Sequence, residues 1–206
     1  MPDDPTAAAS ALYDRLRTRR STRRFSDRPV SREAIEACVR CATTAPSGAN
    51  KQPWRFVCVG EPALKQQIRE AAEAEERTFY SERISDRWRA DLAPLGTDAS
   101  KPFLEEAPWL VVLFKLVKGD DGGQHYYVDE SVGIAAGMFL AACQLAGLST
   151  LTHTPSPMKF LGELLGRPAH ERPFLLIPVG HAHPDWQPPE HARQRKPLDE
   201  VVVVHP

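Results

Sequence analysis

The sequence has almost no surplus of charge: 26 lysines and arginines stand against 27 aspartates and glutamates, a formal net charge of −1 at pH 7. A protein that grips a nucleic-acid backbone usually carries a basic excess, because affinity comes from neutralising phosphates and releasing counterions. The balance argues against a long polyanion as partner. Cysteine is scarce too, with four in 206 residues, so disulfides are not expected and a reduced, cytoplasmic protein is. Cys38 and Cys41 form a C-x-x-C, but inside "SREAIEACVRCATTA", where Ile35, Cys38, Val39 and Ala42 follow helical periodicity. A zinc site would need a second pair, and Cys58 and Cys143 are isolated. All four read as core thiols, with no metal site.

Other signals are missing as well. No dinucleotide fingerprint, internal repeat, low-complexity tract or long linker interrupts the chain, so 1–206 reads as a single domain. The start, "MPDDPTAAAS", has no apolar run behind a basic flank, which argues against a signal peptide, and 1–10 reads as a flexible tail. One long uncharged run exists, "SVGIAAGMFLAACQLAGL" at 131–148, but it contains Gln144 and is barely long enough for a bilayer. It reads as a helix buried on most sides, in a core or at a subunit interface, rather than as a membrane span.

What is present begins with arginine. Arg15, Arg17, Arg19, Arg20, Arg23 and Arg24 crowd the stretch around "RRSTRRF", while acid gathers elsewhere at Glu70, Glu73, Glu75 and Glu76. The positive charge is local, which favours a small anion. Ser21 sits between the guanidiniums where a helix gives way to a turn, and Arg offers bidentate donors matched to phosphate oxygens. Cations gathered at a helix C-terminus to favour its dipole would explain the same run.

The periodicities predict helices over roughly 6–18, from after Ser31 to near Pro46, from Pro62 to about Ala93, over 129–146 and over 157–165. Strands are predicted at 54–60, at 109–117 as a run covered on both faces, at "LSTLTHT" and at 174–180. The terminal "VVVVHP" is a strand that must join a sheet, in its own subunit or a neighbour's, because four valines on an open edge invite aggregation. The pattern is that of an oligomeric α+β sandwich.

Three further stretches could carry chemistry. "APSGANKQPW", 45–54, is a turn in which Ser47 supplies a hydroxyl and Gly48 permits close backbone approach to a ligand. "LTHTPSP", 151–157, places Thr152, His153 and Thr154 at a sheet's end. Glu76 and Tyr80 lie four apart and share a helix face. Read from the residues, this is an α+β protein with an anion site.

Taken in order, "RRSTRRFSDRPV", "APSGA…QPW", "HYYVDESVGIAAG", "LTHTP", "LLGRPAHE", "IPVGH" and "RKPLDE" resemble the nitroreductase-like flavoproteins, and within them the iodotyrosine deiodinase family. The resemblance runs from about Arg15 to Val204. Glu76 and Tyr80, followed by Lys101 ahead of "FLEEAP", narrow it, because they look like the deiodinase lid.

The resemblance implies a nitroreductase-like three-layer sandwich binding FMN at a homodimer interface, with the C-terminal strand exchanged between subunits. Arg19, Arg20, Ser21 and Arg23 match positions around the flavin's phosphate and ring, Ser47 and Gly48 match further flavin contacts, and Arg195 matches a late arginine reaching the cofactor. Thr152, His153 and Thr154 match a segment running past the flavin ring. Thr154 matches the residue whose hydroxyl bonds flavin N5, a catalytic role that favours stepwise electron transfer. A free amino acid is a zwitterion, so Glu76 would hold its ammonium, Lys101 its carboxylate and Tyr80 a further hydrogen bond, while the Ala49 N–H would meet the phenolate. The implied reaction is reductive dehalogenation of halogenated tyrosines, with an electron-donating reductase or NAD(P)H upstream.

The sequence departs from the family pattern in Pro102 and the small Ala99 and Ser100 around Lys101, and in His153 where threonine is common. It also lacks the animal enzymes' membrane anchor, which implies a soluble, bacterial version. A general nitro- or quinone reductase on the same scaffold, and a non-enzymatic protein that binds an anion or nucleic acid, are the alternatives.

Overall fold

The computed structural model describes residues 4–205. Its centre is β2 (Trp109–Leu116), the apolar run, in which every residue from Leu110 to Phe114 is fully buried. A strand alternates its side chains between two faces, so burial of all five requires cover on both. On one face Leu110, Val112 and Phe114 pack with Ile68, Ala72, Leu104 and Leu161; on the other, Val111 and Leu113 belong to clusters containing Ile35, Cys38, Ala135 and Phe139. The first set comes from α3 (Pro62–Thr78), α5 (Phe103–Glu106) and α7 (Lys159–Leu164), the second from α2 (Arg32–Ala42) and α6 (Val128–Leu145). The result is the expected helix–sheet–helix sandwich.

The sheet is wholly antiparallel. With β1 (Trp54–Val59), β3 (Ser149–Thr150) and β4 (Glu171–Gly180), its order is β1-β2-β4-β3. Local chemistry sets the ends of the helices. Ser31 Oγ accepts from the Ala34 N–H (3.2 Å) to start α2, and Gly147 takes φ +75° just after α6. A short first helix, α1 (Pro5–Leu16), begins inside the stretch read as a tail.

The structure departs from several sequence expectations. The predicted helix from Pro62 to Ala93 is interrupted: α3 widens into a π-turn over Phe79–Arg83, Ile84 is extended, and Ser85 caps a separate α4 (Asp86–Leu92) by accepting from the Trp88 N–H (3.2 Å). "LSTLTHT" forms only the two-residue β3 plus one isolated bridge from His153 to Leu176, and β4 begins earlier than predicted, at Glu171. Val201–Val204 pair with no strand of their own chain and are exposed, which leaves a neighbour's sheet as the form of that expectation; Pro206 lies outside the described residues. Helix α6 is buried on one side only. Val132, Ala135, Ala136, Phe139 and Cys143 face the core, whereas Ile134 and Leu145 are exposed. By length and composition α6 could cross a membrane, yet its inward face is already used by the sheet.

Candidate active site

The arginine-rich segment is held by backbone pairing. Ser21 bridges Thr150 in parallel, the Thr22 N–H donates to the Thr150 carbonyl (2.9 Å), and Phe25 bridges Ala182 beyond β4. This lays Arg19–Arg23 beside the sheet end that continues into Thr152–Thr154. Among the described residues, none of Arg19, Arg20, Arg23 or Arg195 is ion-paired with a carboxylate, although nine other arginine– or lysine–carboxylate pairs form. Burial, then the neighbouring Arg195 and Arg20, press the Arg19 pKa below its ordinary value. Arg20 is lowered by desolvation and by Arg195 and Arg193. Cations crowded together without a counter-charge make a seat for an anion.

Arg23 leads from this seat into a cavity of about 250 Å³. Its lining includes Glu76, Tyr80 and Lys101, and also Thr152, His153 and Thr154. The helix-face pair and the sheet-end triplet, far apart in sequence, thus share one chamber. Phe79, Trp88, Leu92 and Phe103 supply apolar wall. The volume lies just below the usual small-molecule range of roughly 300–1,000 Å³, room for one small aromatic molecule and not for a nucleotide cofactor as well.

Glu76 and Lys101 are buried together. Lys101 Nζ stands 3.2 Å from Glu76 Oε2, with side-chain exposures of 3% and 12%. The ammonium also donates to Thr97 Oγ1 (3.2 Å) and to the Asp98 carbonyl, and it lies 5.6 Å from the centre of the Tyr80 ring. Tyr80 in turn donates its hydroxyl to the Thr97 carbonyl (3.2 Å). Burial raises the Glu76 carboxyl above its ordinary range, against the opposing pull of Lys101. His153 Nε2 lies 3.9 Å from Glu76 Oε1, and its pKa falls to about 3 through burial and the charges of Lys101 and Arg23.

Residues that the sequence did not single out for the site hold Lys101 in place. Glu73 Oε1 accepts from the Lys101 backbone N–H (2.7 Å) and from Arg69 Nε (2.8 Å). The buried Lys65 donates to the carbonyls of Glu105 (2.9 Å) and Ala107 (2.7 Å), closing the C-terminal end of α5 just after Lys101. Glu73 stands three residues before Glu76 on α3, and that helical spacing was the available signal.

Ser47, Gly48 and Ala49 do not line this cavity. They form a tight turn against the start of α6: the Gly48 N–H donates to Ser131 Oγ (3.4 Å), and a Cβ at Gly48 would stand 2.8 Å from the Tyr126 carbonyl oxygen. Ala49, Asn50 and Gln52 all take positive φ (49°, 52° and 48°), each at a cost of about 1–2 kcal/mol for a residue with a side chain. The Ala49 N–H makes no backbone hydrogen bond among the described residues. The cysteines are free; Cys38 and Cys143 are buried, and Cys41 and Cys58 are exposed, contrary to the reading of all four as core thiols.

Comparison with known proteins gives this geometry its setting. The profile of the Nitroreductase family matches residues 16–181. An iodotyrosine deiodinase from Haliscomenobacter hydrossis is 50% identical over 208 residues, covering 99% of this chain and 93% of that protein. The crystal structure of an oxidised iodotyrosine deiodinase bound to FMN and 3-iodo-L-tyrosine superposes with a TM-score of 0.82 at 34% identity, covering 94% of this chain and 97% of the other. An FMN-dependent nitroreductase from Mycobacterium smegmatis in complex with NADPH shares the fold at 20% identity, covering 98% and 100% of the two chains with a TM-score of 0.71. An ordinary nitroreductase thus accounts for the scaffold, while the higher identity and closer superposition lie with proteins that act on iodotyrosine: the chain is a member of the nitroreductase family and, within it, of the iodotyrosine deiodinases.

Proposed function

We propose that this protein is an FMN-dependent reductive dehalogenase of halogenated tyrosines. The observation that carries the reading is the cavity in which a buried carboxylate and a buried ammonium, Glu76 and Lys101, stand beside Tyr80 and face the Thr152–Thr154 segment. An α-amino acid presents one charge of each sign, and this pair offers one partner for each. Charge-assisted hydrogen bonds of that kind are strong once water is excluded, and both charged side chains are largely withdrawn from solvent.

The residues present fit FMN. The guanidiniums of Arg19, Arg20 and Arg195, unpaired with any carboxylate among the described residues, suit a phosphate, with Ser21 adjoining; Arg23 lines the cavity. Thr152 and Thr154 are exposed on the segment that would run along the flavin ring, with the Thr154 hydroxyl as donor to its N5. Bound FMN, once reduced, would supply the two electrons that with one proton convert a halotyrosine into tyrosine and halide ion. The chain's own task is to fix the substrate. Glu76 takes its ammonium, Lys101 its carboxylate and Tyr80 a further hydrogen bond, so that the halogenated ring is held in one orientation.

Ser47, Gly48 and Ala49 lie outside the cavity, which suits a site completed by a second copy of the chain. In that arrangement the second copy's turn brings the Ala49 N–H to the phenolate oxygen. The exposed Val201–Val204 and the outward face of α6 suit burial against the same copy. Electrons would reach the flavin from NAD(P)H or a separate reductase.

The test is spectroscopic first. The purified protein should be yellow, and 3-iodotyrosine should perturb the flavin band; with dithionite as reductant it should release iodide and tyrosine. A colourless protein that shifts DNA would refute the reading. A yellow protein that reduces nitroaromatics but neither binds nor dehalogenates iodotyrosine would make it a general nitro- or quinone reductase.

A further inference from the structure

Building on the amino-acid site proposed above, we infer that His153 is a fourth member of the clamp: its Nε2 and Glu76 Oε1, 3.9 Å apart across the cavity, together accept hydrogen bonds from the substrate's ammonium. Three observations carry this. First, Lys101 engages only Oε2 of Glu76, so Oε1 is turned toward the histidine. Second, His153 Nε2 is a buried ring nitrogen with no hydrogen-bond partner among the described residues, and a buried polar atom left so is an expensive arrangement unless a ligand completes it. Third, the spacing fits. A donor nitrogen about 2.9 Å from each acceptor bridges such a gap with both N–H···acceptor angles above roughly 150°.

The ring is fixed rather than adjustable. The backbone N–H and carbonyl of His153 are both bonded to Leu176 (2.9 and 3.0 Å), and the ring stands edge-on to Phe103 with centroids 5.5 Å apart at 87°. Its electrostatic setting also suits an acceptor. Burial, Lys101 and Arg23 keep the imidazole uncharged at neutral pH, so with its proton on Nδ1 it turns a lone pair toward the cavity, where an imidazolium would repel an ammonium. Two acceptors facing each other repel slightly in the free protein. An ammonium between them converts that repulsion into two charge-assisted bonds.

The role predicts selectivity for one end of the substrate. In calorimetric titrations of the flavin-loaded protein, His153→Phe should weaken 3-iodo-L-tyrosine about tenfold or more, the worth of one hydrogen bond to a charged group. It should change the des-amino analogue, 3-(4-hydroxy-3-iodophenyl)propionate, less than twofold. His153→Gln, which restores an acceptor at similar reach, should recover most of the loss. Independently, the Nε2 resonance of ¹⁵N-histidine-labelled wild-type protein should move in the hydrogen-bonding direction on adding iodotyrosine. Equal weakening of both ligands in His153→Phe, or an unmoved Nε2 resonance in a complex that forms, would overturn the assignment and leave the clamp of Glu76 and Lys101 intact. Flavin-loaded wild-type protein that binds no iodotyrosine would instead refute the site reading itself.

Discussion

Replacing Glu76 with Gln tests the clamp most directly, because the structure lets its consequences for folding and for binding be separated. The substitution keeps shape and an acceptor oxygen but removes the charge facing Lys101 Nζ at 3.2 Å. Breaking a buried pair by deleting one partner typically costs about 3–5 kcal/mol. Two features place this site at or below the low end. Lys101 keeps Thr97 Oγ1 and the Asp98 carbonyl as acceptors, and the raised Glu76 pKa means that burial opposes the carboxylate more than Lys101 favours it. The change in stability is therefore expected to be small, within about 1 kcal/mol in urea unfolding at pH 7. Binding should suffer more clearly. Loss of a charge-assisted partner for the ammonium is worth about 1.5–3 kcal/mol, roughly 10- to 100-fold in Kd.

The pH dependence follows from the same shift. A carboxyl whose folded pKa is raised contributes stability below its unfolded pKa, and that contribution is lost as pH rises through the folded value. Iodotyrosine affinity runs the other way, weakening as pH falls through the folded pKa, because the clamp needs the carboxylate. Glu76→Gln should abolish this acid limb. Calorimetric titration of the flavin-loaded variant decides the matter. Affinity within twofold of wild type, or an unchanged acid limb, would refute the reasoning.

Glu171, with a fully buried side chain held by Arg167 (2.6 and 2.8 Å) and Arg55 (2.8 Å), should anchor the fold: Glu171→Gln is expected to cost about 2–4 kcal/mol in urea unfolding at pH 7. The Arg167 and Arg55 contacts hold its pKa low, so this stability is present above the unfolded pKa and lost as pH falls through the folded one, and the variant and wild type should converge in acid. Arg19→Ala or Arg195→Ala should weaken FMN about tenfold or more, and increasingly with salt, yet leave riboflavin binding nearly unchanged; equal losses for both flavins would remove the phosphate from this seat. Gly48→Ala would press a Cβ to 2.8 Å from the Tyr126 carbonyl oxygen, so a loss of about 1–3 kcal/mol in thermal unfolding is expected, together with lower flavin content.

The parts of the fold that were legible in the sequence are those decided locally. Ser31 capping α2, Gly147 ending α6 and the uninterrupted run of β2 each carry their physical reason within a few residues. The long helix after Pro62 was misread because charged residues continue through its break. Ile84 followed by Ser85-Asp86, an extended residue and then an N-cap, was the overlooked signal. Nothing local could place "VVVV", since whether such a run pairs depends on which strand it meets in space, and among the described residues it meets none. For the site, helical spacing brought Glu76 and Tyr80 together, and the family resemblance nominated Lys101. That His153 turns its ring toward Glu76 instead depends on how β4 receives the segment at Leu176, a tertiary fact. So does the separation of the Ser47–Ala49 turn from the chamber.

The mutual neutralisation of Glu76 and Lys101 has a consequence for how any ligand enters. A zwitterion arrives by exchange: one internal salt link is surrendered and two external ones replace it, while the net charge of the chamber stays the same before and after. Such a swap is nearly blind to ionic strength, in contrast to the capture of a phosphate by the arginines. A plain halophenol, bringing neither sign, has nothing to trade and must leave the resident link closed across its path.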